Sequence, residues 1–352
     1  MSERKQTIIF KNKPYILSAY SIAGKKESEG PMSDWFDYCI SDDTYGENTW
    51  EKSESKMLKT AMGEVVMRAG LNHDEVGAML SGDLLNQLMS SSFMARDMHI
   101  PFLGMYGACS TMTESLMLGS VLVDGKYSDN VIVGASSHYC TAERQFRMPL
   151  EHGNQRPPSA QWTATAAGAM LVSQCSQPYA EMKTIDGDVV NCRNVRVESG
   201  TIGKIIDAGI KDANQMGSAM APAAIDTILN HLEDTGRAIS YYDVVLTGDL
   251  GFTGRGIVRD LLADAGVNKA DIENVYDDCG TMIYDPQQDV HNGGSGCGCS
   301  ASLFSGYVYK KMRKGEIRHA LIISTGALLS TISPFQGESI PGIAHAISLE
   351  SE

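Results

Sequence analysis

The sequence has no long apolar run, little positive charge and no cluster of cysteines. No stretch approaches the ~18 consecutive apolar residues of a membrane-spanning helix. The N-terminal residues lack the basic patch, apolar stretch and cleavage site of a signal peptide, so we expect none. With 29 basic and 43 acidic residues the formal net charge is -14, which disfavours nucleic acid and offers no polybasic segment for anionic lipid. We expect a soluble chain that contacts a membrane only through partner proteins.

The eight cysteines are scattered over 352 residues, unlike those of a small disulfide scaffold. This distribution is typical of reduced thiols in the cytosol. Cys297 and Cys299 form one pair among glycines, but no second pair lies at zinc-finger distance. We therefore expect no structural metal.

The most informative feature is an internal repeat. A helix-like segment that ends at Gly70 precedes SGDL at 81–84, and another that ends at Gly236 precedes TGDL at 247–250. A glycine after an amphipathic pattern is typical of a helix C-terminus, and the short apolar run that follows is typical of a buried strand. Each copy therefore predicts a helix, a short loop and a strand.

The repeat continues in a second pair of segments. ACST at 108–111 corresponds to GCSA at 298–301, so that Cys109 is the counterpart of Cys299. In both copies a glycine follows 16 residues after the cysteine, and an apolar strand pattern comes next. Because the same segments occur in the same order twice, the sequence predicts two similar α/β halves, residues 1–175 and 176–352. Each half is expected to have a mixed sheet flanked by helices.

Two α/β halves that each carry a cysteine at a central helix resemble the thiolase superfamily of thiolases and ketoacyl synthases. A more specific resemblance, to the stage V sporulation protein AD (SpoVAD) family, spans almost the whole chain. It implies an α/β, thiolase-like fold, two similar halves with mixed sheets packed around central helices, and a homodimer. The motifs that carry it are SGDLLNQ (81–87), GACST (107–111), SSHYCTAERQFR (136–147), MGSAMAPAA (216–224), LTGDL (246–250), DDCG (277–280), GGSGCGCSA (293–301) and STGALLS (324–330).

Cys109 matches the nucleophilic cysteine of the condensing enzymes, where a turn and the helix dipole activate the thiol. Those enzymes take their base and oxyanion donors from the second half. This chain instead has Asp249 after the strand where a synthase carries its first catalytic histidine, and Ser324 where a thiolase carries its acid/base cysteine. His291 lies only near the place of the remaining catalytic group. Because an ionised aspartate cannot donate to an oxyanion, the departure favours a non-catalytic protein. The alternatives are an acyltransferase that uses Cys109, with His291 as a partner, and a purely structural scaffold.

The SpoVAD resemblance implies a ligand, dipicolinic acid (pyridine-2,6-dicarboxylic acid), and a role in its uptake with calcium into the developing spore. Calcium is then expected only as the ligand's counterion, and no cofactor is expected. The implied partners are the other membrane proteins of the spore dipicolinate transport complex. Through them the chain would associate peripherally with the inner membrane of the forespore.

A flat dianion needs cationic or N–H donors at its carboxylates. A histidine and two arginines follow a predicted buried strand, and the glycine loop 293–298 offers backbone N–H groups. The alternative interpretations are a histidine satisfied within the core, arginines paired with acidic groups, and a loop that only packs two helices tightly. The candidate ligand-binding residues are Cys109, His138, Arg144, Arg147, Asp249, Gly294, Ser295, Cys297 and Cys299.

Overall fold

Strands and helices follow the order that the repeat predicts. The structure is a computed structural model that describes residues 5–146, 156–176, 181–183 and 189–352. Its strands are β1 (Thr7–Ile9), β2 (Tyr15–Ala23), β3 (Tyr38–Cys39), β4 (Ala78–Gly82), β5 (Phe102–Gly104), β6 (Asn130–Ser137), β7 (Trp162–Thr163), β8 (Ala166–Ser173), β9 (Glu181–Lys183), β10 (Val189–Asn191), β11 (Val195–Thr201), β12 (Val244–Thr247), β13 (Tyr276–Asp278), β14 (Gly294–Ser295), β15 (His319–Ala327) and β16 (Gly342–Ser351).

The helices include two long ones, each of which comes before the SGDL or TGDL motif, as the repeat predicts. A π-helical turn (Phe304–Val308) joins the last two helices into one rod. The helices are α1 (Lys25–Ser28), α2 (Trp50–Arg68), α3 (Met89–Met98), α4 (Thr111–Asp124), α5 (Tyr139–Phe146), α6 (Met216–Thr235), α7 (Gly251–Asp264), α8 (Lys269–Val275), α9 (Cys279–Met282), α10 (Cys297–Leu303) and α11 (Tyr309–Lys314). Within the described part of the chain, none has both the length and the apolar character needed to cross a membrane.

The strand order shows the two copies of the repeat. The main sheet runs β13-β12-β15-β16-β11-β2-β8-β6-β4-β5, with β1 added to β11 and β3 added to β2. In the first half β4 is parallel to β5 and β6, and β8 is antiparallel to β6 and β2. In the second half β12 is parallel to β13 and β15, and β16 is antiparallel to β15 and β11. The thiolase-like fold class is confirmed.

The two halves are joined more closely than the sequence indicates. Strand β2 pairs with β11, Tyr15 opposite Arg196 and Ile16 opposite Val195, so the two half-sheets form one continuous sheet. Strand β1 also lies against β11, although it belongs to the first half of the sequence. Pairing between residues about 180 positions apart leaves no local signal in a sequence. The division at residues 175 and 176 stays a prediction.

The central helices bring the two cysteine segments together. Helix α4 packs on β4 and β6 of its own half and reaches β15 and β16 of the other. Helix α10 packs on β2, β6 and β8 of the first half and also contacts α4. Their buried surfaces belong to one apolar core that includes Met112 and Leu116 of α4 and Leu303 of α10. The segments that enter α4 and α10 therefore meet where the halves join.

Candidate functional site

Cys109 lies on a tight turn that leads into α4. Ala108 has a φ of 51°, in the left-handed region that residues with a side chain seldom adopt. The N–H of Ser110 donates to the carbonyl of Gly107 at 3.0 Å, and α4 begins at Thr111. Cys109 itself is buried, with 8% of its surface exposed. A strained turn at a helix start is the arrangement that presents a nucleophile in many enzymes.

The group that faces the Cys109 thiol is the carboxylate of Asp249. The two groups lie close enough for each to shift the pKa of the other. The Thr325 hydroxyl donates to Asp249 Oδ1 at 2.6 Å, and the N–H of Gly296 donates to Oδ2 at 3.0 Å. Burial raises the pKa of Asp249 to about 6, so that the carboxyl is mostly ionised at neutral pH.

The Cys109 thiol stays protonated in this environment. Burial raises its pKa well above the ordinary value, and the negative charge of Asp249 raises it further. A condensing enzyme needs the opposite, a thiolate next to a group that stabilises it. Asp249 accepts hydrogen bonds but cannot donate one while ionised, so it offers nothing to an oxyanion.

A narrow cavity opens above Cys109 at the junction of the halves. Its volume is about 50 Å³, comparable with one or two water molecules. Within the described part of the chain no lysine, arginine or histidine lines it, and Glu143 is the one acidic side chain of the lining. The lining consists of Leu84, Tyr106, Ala108, Cys109, Ala142, Glu143, Phe146, Thr163, Ala213, Met216, Ser295, Gly296, Ala327 and Leu329.

Several predicted site residues lie at or behind this cavity. Cys109 and Ser295 line it, and Asp249 contacts the Cys109 thiol. Gly294 forms strand β14 with Ser295, which lies parallel to β7. Cys297 begins α10 and donates from Sγ to the carbonyl of Ser136 at 2.8 Å, and Cys299 is fully buried. The structure thus places the glycine loop beside the Cys109 turn, while the ligand-binding role of these residues stays a prediction.

The predicted histidines are held by other contacts. The buried His138 donates from Nε2 to the carbonyl of Asp43 at 2.8 Å, while its Nδ1 accepts from the N–H of Cys140 at 3.2 Å. Burial lowers the pKa of His138, which therefore stays neutral. His291 lies by the carbonyl of Pro157, 2.9 Å from Nδ1, and by Asp289 Oδ1, 3.0 Å from Nε2. Neither lines the cavity.

The predicted arginines are not found in the cavity lining either. Arg144 forms an ion pair with Glu51 and lines a separate groove between α2 and α3, of about 1180 Å³. Arg147 lies outside the described residues. Their proposed contacts with a ligand carboxylate stay predictions.

The sequence did not reveal how the two copies of the SGDL/TGDL loop differ. In the first copy Asp83 accepts from the N–H of Leu85 and from the N–H and hydroxyl of Ser91, so it holds its own loop together. In the second copy Asp278 supports the loop by accepting from the N–H groups of Leu250 and Gly251. Asp249, the counterpart of Asp83, is therefore available to face Cys109. The only sequence signal is the DDCG motif that carries Asp278.

Asp249→Asn is expected to speed alkylation of Cys109 by iodoacetamide at pH 8 by roughly tenfold, because a tenfold gain in thiolate corresponds to one unit of pKa. The substitution removes the charge that raises the thiol pKa and places an amide donor beside the sulfur. Mass spectrometry of the Cys109 peptide gives the rate, with the exposed Cys175 as an internal control. An unchanged or slower rate would show that Asp249 does not control the thiol.

The fold and this site define the class of protein. The chain is similar to the 3-oxoacyl-[acyl-carrier-protein] synthase III of Aquifex aeolicus, with a TM-score of 0.56, 10% identity, and coverage of 96% of this chain and 99% of that one. It is also similar to Xanthomonas campestris OleA in a variant with one histidine replaced by aspartate, with a TM-score of 0.57, 10% identity, and coverage of 97% and 99%. The chain thus has the fold of the thiolase-like condensing enzymes, with a carboxylate against its cysteine.

The chain belongs to the stage V sporulation protein AD (SpoVAD) family. The family model matches residues 4–350. The Stage V sporulation protein AD of Bacillus subtilis (strain 168) is 40% identical over 346 residues, which cover 98% of this chain and 97% of that protein. The chain is therefore a sporulation protein built on a ketosynthase-like fold.

Proposed function

We propose that this chain binds dipicolinate without transforming it and serves its uptake, with calcium, into the developing spore. Membership of a sporulation protein family supports a role in the developing spore. The observation that carries the non-catalytic part is the pairing of the Cys109 thiol with Asp249 at the place where a condensing enzyme activates its nucleophile. No cofactor is part of the proposal.

Proton transfer argues against acyl transfer at Cys109. The pKa of Asp249, about 6, lies far below the raised pKa of the thiol, so the carboxylate is a poor base for it. Transfer would also leave a buried thiolate without a cation, whereas a histidine base would become an imidazolium beside it. A binding pocket needs neither step.

The charges around the cavity favour the calcium complex of the ligand over the free dianion. Asp249 below the cavity is mostly ionised at neutral pH, so a bare dicarboxylate would be repelled. Among the described residues no three His, Cys, Asp or Glu side chains form a metal site of their own. In this proposal dipicolinate holds calcium through its two carboxylates and its ring nitrogen, water fills the remaining positions, and the complex enters as a neutral cargo.

The ligand is larger than the 50 Å³ cavity, so binding includes movement of lining side chains. Met216 and Phe146 are the large apolar side chains best suited to this role. Methionine has several accessible rotamers, and a phenylalanine ring offers a stacking surface to the pyridine ring.

Isothermal titration tests the proposal. We expect saturable binding of calcium dipicolinate and at least tenfold weaker binding of dipicolinate alone, since a charged ligand loses affinity when like charges face it. Ala142→Leu should abolish binding because the larger side chain fills the cavity. Ala265→Leu, at an exposed position, is the matched control.

The same titration separates the rival function. A Cys109→Ala variant should keep its affinity if the thiol only forms part of the cavity floor. No binding by the wild-type chain, together with a covalent acyl adduct on Cys109 after incubation with a thioester, would reject the proposal and support an acyltransferase.

A homodimer and docking onto the membrane proteins of the dipicolinate transport complex belong to the same proposal. Strand β5 ends the main sheet and pairs only with β4 among the described strands, which leaves an open edge. Large apolar side chains are exposed around it: Leu103, Phe93 and Met89 have exposed fractions of 47%, 46% and 43%. An open edge with apolar neighbours favours pairing with a second copy.

Leu103→Glu is expected to convert a dimer to monomers at micromolar concentration. Its carboxylate would be buried against its symmetry mate in a paired edge, and like charges directly opposite each other destabilise a sheet. Sedimentation velocity measures the change. Tyr127→Glu, at a position 82% exposed elsewhere, is the control. A dimer that survives Leu103→Glu would place the interface on another surface.

A further inference from the structure

The end of the second central helix carries a stripe of cations and one aromatic ring. Tyr307, Lys310, Lys311 and Lys314 are spaced at i, i+3, i+4 and i+7, so they share one face. All four are at least partly exposed, whereas Val308, Tyr309 and Met312 on the opposite face are buried. Neither of the two cavities described above includes a residue of this stripe.

Trp35 completes the stripe from another part of the chain. Its ring meets that of Tyr307 edge to face, with centroids 5.1 Å apart. Lys310 donates from Nζ to the Trp35 carbonyl at 2.6 Å. Gly306 lies so close that a Cβ there would be 2.7 Å from the same carbonyl oxygen, which fixes the Trp35 loop on the π-helical turn.

The lysines are held over these rings. Lys311 Nζ lies 5.6 Å from the centroid of Trp35 and 5.0 Å from that of Tyr307, and Lys314 Nζ lies 5.2 Å from that of Trp35. Ammonium groups at these distances interact with the ring faces. The stripe therefore presents ammonium groups and aromatic edges together.

The stripe keeps an excess of positive charge in a chain whose net charge is -14. Asp37 pairs with both Lys310 and Arg68, at 3.0 and 2.9 Å, and Glu316 lies 3.6 Å from Lys311. Among the described residues, no carboxylate lies within ion-pair distance of Lys314. Four cations thus face these two carboxylates, and the acidic Asp34 adjoins Trp35 in the sequence. The Lys310–Asp37 pair is largely buried, whereas the exposed Lys314 and the more exposed Lys311–Glu316 pair leave ammonium groups accessible to another anion.

We propose that this stripe, Trp35, Tyr307, Lys310, Lys311 and Lys314, is a docking surface for an anionic phospholipid membrane. Lysine binds phosphate as a point charge without demanding the paired geometry of an arginine, and indole and phenol rings favour the headgroup region. An acidic peptide would explain the lysines but not the two rings. The inference differs from the sequence expectation that membrane contact goes only through partner proteins, and it is independent of dipicolinate binding.

Vesicle co-sedimentation of the full chain tests the proposal. We expect the chain to bind vesicles of mixed phosphatidylglycerol and phosphatidylcholine and to bind pure phosphatidylcholine vesicles little. Binding should be lost as the salt concentration rises from about 0.05 to about 0.5 M, because salt screens the attraction between exposed charges. The Lys311→Glu, Lys314→Glu double variant should lose at least about 20-fold in partitioning, because each basic residue near an anionic surface contributes roughly fivefold. The matched control is Lys52→Glu with Lys59→Glu on α2, which changes the net charge equally at two exposed positions.

The outcomes separate the possibilities. Equal loss in both double variants would show that overall charge, and not this stripe, determines binding. Equal binding to anionic and neutral vesicles, or none to either, would overturn the proposal. Binding to polyglutamate without binding to vesicles would also overturn it and identify an acidic protein segment as the partner. Unchanged unfolding midpoints of the variants establish that they fold.

Discussion

Gly168→Ala is expected to lower the free energy of unfolding by about 3 kcal/mol, the upper part of the range for overpacking a core. A Cβ on Gly168 of β8 would lie 2.0 Å from the carbonyl oxygen of Ala301 and 2.3 Å from its carbon, both backbone atoms of α10. Neither can move without shifting the helix that carries Cys297 and Cys299. Urea unfolding followed by circular dichroism measures the change.

Gly63→Ala is the matched control because it makes the same chemical change with the opposite expected sign. Gly63 lies within α2, and a Cβ there would meet nothing within 4 Å. Alanine within a helix is more favourable than glycine by about 0.5–1 kcal/mol. A gain at Gly63 with no loss at Gly168 would show that α10 does not pack against β8 as closely as the structure describes.

The chain is expected to be less stable at pH 8 than at pH 6.5, by on the order of 3 kcal/mol. Burial raises the pKa of Glu27 to about 7 and that of Asp278 to about 7, and burial together with the nearby Asp83 raises that of Glu54 to about 8. Their ordinary values are near 4, so between pH 6.5 and 8 the folded chain must release protons that the unfolded chain has already released. Stability is therefore lost as the pH rises through the folded-state pKa values.

Two buried histidines make stability depend on pH in the opposite direction, but in a lower pH range. Burial lowers the pKa of His231 and of His345 to about 4, so their effect is a loss of stability as the pH falls below about 6.5. It does not affect the comparison between pH 6.5 and 8. Unfolding free energies from urea titrations at the two pH values provide the test.

Glu27→Gln isolates one of these carboxyls. Glu27 Oε1 accepts hydrogen bonds from Tyr284 and from the N–H of Thr165, and a glutamine carbonyl can accept the same bonds. The variant should match the wild type at pH 6.5 and lose less stability at pH 8. A variant with the full wild-type pH dependence would show that Glu27 is not a source of it.

The buried carboxyls also explain the character of the site. Asp249 and Asp278 occupy the same loop region, yet Asp278 supports backbone N–H groups while Asp249 faces a thiol. Burial alone raises the pKa of the Cys109 thiol, and the Asp249 carboxylate raises it further, so the cysteine stays protonated where a condensing enzyme has a thiolate.

By itself the sequence determined the two-fold repeat, the thiolase-like fold class and the position of Cys109 before a central helix. These features rest on local periodicity, on glycines that end helices, and on motifs within a few residues of one another. Asp249 was identified as a departure from the condensing enzymes for the same reason, since it directly follows a strand.

Only the tertiary structure decided which of the candidate side chains meet. His138 and Arg144 both follow strand β6 in the sequence, yet neither lines the Cys109 cavity. His138 is hydrogen-bonded to the backbone carbonyl of Asp43, and Arg144 forms an ion pair with Glu51. The pairing of β2 with β11, the proximity of Asp249 to Cys109, and the edge-to-face contact of Trp35 with Tyr307 all join residues far apart in the chain. Such contacts depend on how helices and sheets pack in space, and the spacing of residues along the chain does not encode them.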